Sequence, residues 1–387
     1  MTVTDIFQQI FEAEPLVVQS PGRINLLGEH TDYNEGFVLP AAVNKYATVA
    51  ISANNTGDIV MHSVQFDKTV TVPLAEIAPQ TENSWTNYVL GVTDGLIHGG
   101  KKVSGFNIAV DGDIPIGAGM SSSAGISCAV GFALNELFGL GLTREQLART
   151  AQWAEHNYAG VACGIMDQFA SLFGKANHLI QLDCRSIEYK YVPIEMEGYA
   201  LVLFNTNVKH NLASTEYNQR RKQCEKGVAL VKEKYPQVNS LRDVTMDMLR
   251  ELVEPVDVST FTRCKYVVEE NDRLLTGCDD LRNGDLVAFG KKMFATHHGL
   301  SQEYSVSCPE LDFLVDAVRD NADVLGARMM GGGFGGCTIN LIKEEAIDNI
   351  AKDLAPKYEA AMGKPLTTYV VLTGDGTSIV SKPVVAA

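Results

Sequence analysis

"PIGAGMSSSAG", Pro115 to Gly125, is the stretch whose reading decides the fold. It follows a strand pattern in "SGFNIAVDGD" and opens a run of small and apolar residues with helical spacing, "SSSAGISCAVGFALNELFGL", from Ser121. Its glycines permit positive φ and close approach of a ligand to the backbone. Free N–H groups at the start of the next helix, with the helix dipole, form a seat for an anion such as phosphate. Three serines add hydroxyl donors or a metal ligand. The loop is not a P-loop, because G-x-x-x-x-G-K-[ST] occurs nowhere in the chain. It is not a dinucleotide fingerprint either, because Ser122 stands where the third glycine belongs. The competing reading is an ordinary strand-to-helix turn with small residues for packing.

Outward from this loop, the first half alternates strand and helix patterns. "VVQSPGRINLLGEH", "VLPAAVNKYATVAISA" and "DIVMHSV" read as strands. Thr143 and Gln146 fit a capping box, and the helix they open ends at Gly160. "IMDQFASLFGK" starts another helix; "HLIQLDCRS" and "ALVLFNTNV" read as strands. After about residue 210 charged amphipathic helices dominate. The chain then returns to β, α, β, which suits a split βαβ domain. "GGGFGG", 331–336, matches G-x-G-x-x-G, but the strand pattern "CTINLI" follows where that fingerprint needs a helix. It reads as a tight hairpin turn, either purely structural or lying against a ligand or the other domain.

The chain has 387 residues, too many for one ordinary core, so two domains are expected. A net charge of −15 argues against nucleic acid and anionic membranes as partners. An anionic ligand must then be held by a local device, such as backbone N–H groups or a metal ion. No apolar run is long enough to span a membrane, and the acidic opening "MTVTDIFQQIFEAEP" lacks a leader's apolar core. The eight cysteines are dispersed, without C-x-x-C pairs, and read as reduced, buried thiols in a cytosolic protein.

Three charged residues stand in apolar company. Glu155 follows Leu147 and Ala151 at steps of four, which places it on a partly apolar helix face; it is either an exposed helix-edge residue or a paired or metal-bound carboxylate. Asp167, flanked by Ile165, Met166 and Phe169, is either a helix cap or a base. Arg23 precedes the apolar "INLL" and needs a carboxylate, a phosphate or water. Arg23 and Asp167 are candidate partners, each explaining the other's placement. Such a pair keeps a carboxylate ionised, as a base must be, but weakens it as a base.

Four segments, "PGRINLLGEHTDYNEGFVLP" (21–40), "PIGAGMSSSAG" (115–125), "CGIMDQF" (163–169) and "GARMMGGGFGGC" (326–337), stand in the order found in galactokinases. By these the chain resembles that family of the GHMP kinase superfamily, from about residue 8 to about 375. The resemblance implies an α+β, two-domain GHMP kinase fold: a ribosomal S5-like N-terminal domain over 1–190 and a ferredoxin-like C-terminal domain over 191–387. It implies ATP-dependent phosphorylation of the anomeric hydroxyl of α-D-galactose, with Mg²⁺. Carried over by motif, Asp167 is the catalytic base and Arg23 orients it. Glu29, His30, Thr31, Asp32 and Tyr217 are implied as sugar contacts. Gly117, Ala118, Gly119, Met120, Ser121, Ser122 and Ser123 are implied as the triphosphate loop, and Ser123 and Glu155 as Mg²⁺ ligands. Ser63, Trp85 and Asn87 resemble adenine-pocket residues. A cytoplasmic monomer without an obligate protein partner is expected. The alternatives are an N-acetylgalactosamine or arabinose kinase of the same superfamily, and a silent regulator that binds galactose and ATP. "GEHTDY" resembles the galactose enzymes, where acetylgalactosamine kinases carry "GEHIDY". Ser123, Ala124, Asp167 and Arg23, all present, speak against the regulator.

Overall fold

The structure, a computed structural model, describes residues 1–208 and 213–383. Thirteen strands run through these residues: β1 (Leu16–Asn25), β2 (Phe37–Val38), β3 (Pro40–Ala53), β4 (Asp58–Ser63), β5 (Lys68–Pro73), β6 (Phe106–Gly112), β7 (His178–Asp183), β8 (Tyr189–Pro193), β9 (Tyr199–Asn205), β10 (Val324–Met329), β11 (Cys337–Lys343), β12 (Thr367–Val371) and β13 (Ser378–Ser381). They form a six-stranded sheet ordered β13-β1-β3-β6-β4-β5, a four-stranded sheet ordered β10-β11-β9-β12, and a small sheet ordered β2-β7-β8. The pairings are antiparallel except β4 with β6. β10 and β11 pair across residues 330–336, so "GGGFGG" is the expected hairpin turn. β8 runs across the division expected at residue 190. β13 pairs with β1, returning the far end of the chain to the first sheet.

Helix Ser122–Phe138 packs on β1 and β3 of the six-stranded sheet, and helices Asn87–His98 and Arg144–Ala154 pack against that helix and each other. Val18, Val49, Ile51, Ile108, Val89, Leu90, Ala129 and Val130 fill the space between, all fully buried. On the four-stranded sheet, Val202, Phe204 and Ile342 pack against Ile350, Leu354 and Tyr358 of helix Ile347–Met362. A further core spans both halves. Ile24, Leu26 and Leu27 of the "INLL" stretch meet Leu201, Leu203, Leu274, Phe289, Met293 and Ile339 there. At about 1.5–3 kcal/mol for each side chain fully buried, this shared core holds the two halves in fixed relation. Among the described residues, no helix is long and apolar enough to cross a membrane.

Local chemistry aims the functional side chains. The β1–β3 register shifts between Pro21 and Arg23. At that break the Arg23 N–H leaves the ladder and donates to the Met120 carbonyl at 3.1 Å. Irregularities of this kind re-aim a side chain, here toward the glycine loop. A Cβ on Gly22 would stand 2.7 Å from the Met120 carbonyl oxygen, so only glycine lets strand and loop approach this closely. Thr143 and Gln146 form the expected capping box. The helix they open continues past Ala154 as a π-turn over Glu155–Ala159 and stops at Gly160, whose φ is +70°. Such turns are rare and concentrate at functional sites.

Candidate active site

A cavity of about 510 Å³ opens between the two halves. The glycine loop, the start of helix Met166–Phe173, the residues after β1 and the β10–β11 hairpin all reach it. Asp167 lies in the first turn of its helix. The cap residue is Ile165, which makes no side-chain cap bond, so the capping reading of Asp167 is corrected. Its carboxylate instead takes a two-point ion pair: Arg23 Nε donates to Oδ1 at 2.7 Å and Nη2 to Oδ2 at 2.9 Å. Ser121, in the left-handed region at φ +55°, donates its hydroxyl to Oδ2. Arg23 Nη1 donates to the Gly119 carbonyl. One guanidinium thus joins the candidate base to the loop. The Arg23 side chain is 5% exposed, whereas Asp167 keeps 25%, open to the cavity.

Ser122 begins a 17-residue helix that directs its N-terminus at the cavity. The Ser123 hydroxyl donates to Glu155 Oε1 at 3.1 Å, and Gln168 Nε2 donates to Oε2 at 2.8 Å. Glu155 is therefore partly buried and paired, which corrects its reading as an exposed helix-edge residue. Burial, with Asp167 nearby, raises its carboxyl to about 7.

On the other side of the cavity, Asp32 accepts the Tyr33 N–H at 3.0 Å. Burial and then Asp167 raise its carboxyl to about 7. Glu29, 2% exposed, pairs with Arg328 and accepts the Gly331 N–H at 2.8 Å. His30 stands 2.8 Å from the Tyr33 hydroxyl through Nδ1 and 3.2 Å from the Gly332 carbonyl through Nε2. A carbonyl only accepts, so Nε2 carries the proton and Nδ1 accepts from Tyr33. The Tyr33 hydroxyl then accepts from Tyr304, 2.8 Å away. Burial holds His30 neutral, lowering it to about 3. The Tyr217 ring sits 5.1 Å from His30 and 5.3 Å from Tyr33 and closes the wall. Its phenol is pushed well up by burial, with Asp32 adding to the shift.

A second cavity of about 280 Å³ adjoins the first; Tyr88 and Ser122 line both. Ser63 and Trp85 line it, with Phe66, Ile114 and Ile116. The Trp85 indole N–H is buried without an acceptor among the described residues.

Three expected contact residues lie outside both cavities. Thr31 is fully buried, and its hydroxyl serves the carbonyls of Gly28, at 2.8 Å, and Phe37. It closes the turn that presents its neighbours. The Asn87 amide clamps Gln80 through its N–H at 2.7 Å and its carbonyl at 3.0 Å. Ala118 is fully buried in the shared core beneath the loop. Sequence reasoning passed over Arg328, Gln168, Tyr88 and the Tyr33–Tyr304 pair. Arg328 carries the signal that found Arg23, a guanidinium in an otherwise apolar strand.

Three family models match the chain: the galactokinase galactose-binding signature at residues 5–53, the GHMP kinases N terminal domain at 87–175 and the GHMP kinases C terminal domain at 279–360. A galactokinase of Thermotoga maritima is 41% identical over 93% of this chain and 98% of its own. The chain belongs to the galactokinase family. A galactokinase of Roseiflexus sp. is 38% identical over 96% of this family member and 94% of its own length. The crystal structure of Lactococcus lactis galactokinase complexed with galactose superposes with a TM-score of 0.93 at 34% identity, covering 97% of this chain and 98% of that one. The Methanococcus jannaschii mevalonate kinase, at 17% identity and a TM-score of 0.66 over 94% and 99% of the two chains, shares the fold. The two-domain α+β GHMP kinase architecture is thus that of this galactokinase-family chain.

Proposed function

We propose that this galactokinase-family enzyme transfers the γ-phosphoryl group of ATP to the anomeric hydroxyl of α-D-galactose, giving galactose 1-phosphate and ADP. The observation that carries this reading is the Asp167–Arg23 pair. It stands where the glycine–serine loop and the polar residues after β1 share one cavity.

Phosphoryl transfer asks for positioning and charge stabilisation more than covalent chemistry. The N-terminus of helix Ser122–Phe138 and the loop from Gly117 hold the phosphates. The second cavity takes the base, beside the Trp85 ring and Ser63 that line it. Glu29, Asp32 and Tyr217 meet the sugar. Asp167 accepts the proton of the anomeric hydroxyl as its oxygen bonds to phosphorus and the bond to the ADP oxygen breaks. Arg23 and Ser121 fix the carboxylate's direction, and the guanidinium offsets charge on the transferring group.

Ser123 Oγ and Glu155 Oε1 lie 3.1 Å apart beside the loop, two hard oxygen donors on one wall of the cavity. Among the described residues no group of three or more His, Cys, Asp and Glu forms a cage. That set suits Mg²⁺, which keeps waters and takes the rest of its ligands from phosphates. When bound there, Mg²⁺ would neutralise phosphate charge.

The site lies between two domains that we place on either side of about residue 190, with β13 returned to the first. Eight free thiols support a reducing, cytoplasmic setting. We take the enzyme to be a monomer, which its elution volume on gel filtration tests. The functional test is ADP release from purified protein with ATP and a hexose panel, with Mg²⁺ or with EDTA. ADP formation that needs both galactose and Mg²⁺ is expected. Faster turnover of N-acetylgalactosamine or arabinose, or galactose binding without turnover, would replace this reading.

A further inference from the structure

Arg328, in β10, has no exposed side-chain surface. Its Nε donates to the Met329 carbonyl at 2.8 Å, its Nη2 pairs with Glu29 Oε1, and its Nη1 has no acceptor among the described residues. A buried ion pair of this kind contributes little to stability against apolar side chains of similar size, and an unpaired buried N–H is a standing cost. Stability alone therefore does not account for an arginine here. Glu29 supplies the other half of the account. Its Oε1 accepts from both Arg328 and the Gly331 N–H. No donor among the described residues reaches Oε2, and Glu29 lines the cavity. The next residue, His30, grips the Gly332 carbonyl, so two consecutive residues after β1 hold two consecutive hairpin peptides.

We propose that Arg328 is a positioning residue for the sugar: it commits Oε1 of Glu29 to the hairpin and so turns Oε2 toward the cavity, where it accepts a hydroxyl of the hexose. The inference rests on Glu29 being a sugar contact. Without Arg328 the carboxylate has one N–H partner instead of two and can rotate, which loosens the sugar while leaving the phosphate loop untouched.

The test compares Arg328→Met, Arg328→Lys, Glu29→Gln and the double variant Glu29→Gln/Arg328→Met in the full chain. It reads galactose Kd without nucleotide, KM for each substrate, kcat and Tm. Arg328→Met should raise galactose Kd and KM by ~10- to 100-fold, the range of one charge-assisted hydrogen bond. KM for ATP should stay within about 2-fold, because the altered contact does not touch the phosphate loop. Arg328→Lys should recover part of the loss. The double variant should be no worse for galactose than the poorer single one, because both changes act on one contact. A lower Tm with unchanged galactose Kd would mean a purely structural arginine. Equal rises in both KM values, or additive losses in the double variant, would also overturn the proposal. If Arg328→Met does not fold, an unchanged galactose KM in Arg328→Lys overturns it alone. If Glu29→Gln leaves galactose binding intact, the sugar-contact reading of Glu29 falls as well, which separates the two failures.

Discussion

Replacing Asp167 with asparagine probes the reaction at the atom assigned to take the proton. The carboxylate receives Arg23 Nε at 2.7 Å on one oxygen, and Arg23 Nη2 at 2.9 Å with the Ser121 hydroxyl on the other. An amide keeps one oxygen acceptor, so one of the two guanidinium bonds is lost and the other loses its ionic partner. Breaking a fully buried pair costs about 3–5 kcal/mol. Asp167 is 25% exposed, so water takes over part of the load, and a cost of about 1–3 kcal/mol is expected. The catalytic loss is larger in consequence: removal of a general base lowers kcat by ~10²–10⁴-fold. That corresponds to about 2.7–5.4 kcal/mol of barrier. The assay is ADP release under saturating galactose and MgATP, well below the variant's melting temperature, with galactose affinity measured separately by calorimetry. Folded protein with near-normal galactose affinity and collapsed kcat is the expected result. Turnover within about 5-fold of the parent in folded protein would refute proton acceptance by Asp167.

Asp32 gives a pH signature. Its carboxyl is raised from 3.8 to about 7, so folding favours the protonated form. Its contribution to stability is full below 3.8 and is lost as pH rises through about 7; Glu155, also raised to about 7, acts in the same direction, so the unliganded protein should melt lower at about pH 7.5 than at about pH 5.5 by an amount that Asp32→Asn reduces but does not abolish. The ionised form is the stronger acceptor for sugar hydroxyls, so galactose affinity measured by calorimetry should rise over the same interval. At Gly164 an added Cβ would stand 2.0 Å from Asp32 Oδ2. Gly164→Ala should displace that carboxylate and lower kcat/KM for galactose by ~10²-fold with little change in KM for ATP, as steady-state kinetics in each substrate would show. Trp85→Ala removes an aromatic ring that lines the second cavity and should raise KM for ATP by about 3- to 10-fold without affecting galactose; the reverse pattern would move the base-binding pocket elsewhere.

How much of this could be read beforehand depended on how local each cause is. The Thr143–Gln146 capping box was legible because three residues of spacing contain it. Arg23 and Asp167 were legible as partners because each alone is a charge stranded among apolar neighbours, although 144 positions separate them. Glu155 resisted reading, since its burial depends on Gln168 from a different helix and on a π-turn that no periodicity announces. Thr31 and His30 lie in a motif that reads as sugar-facing throughout. Yet the Thr31 hydroxyl closes a turn, and both His30 nitrogens are taken by protein partners. Which polar atoms remain available is decided by the hairpin, 300 residues further on.

The closure of β1 by β13 bears on how the chain is made. The Ser20 and Thr377 hydroxyls meet at 2.8 Å across 357 positions. At ribosomal speeds of ~5–20 residues per second, β1 waits roughly 20–70 s for this neighbour to be synthesised. Throughout that interval the nascent first domain carries an unpaired strand edge beside the arginine that will hold the catalytic carboxylate. Until residues 378–381 are made, that open edge offers unpaired N–H and C=O groups to other chains, an aggregation liability that the finished enzyme no longer carries.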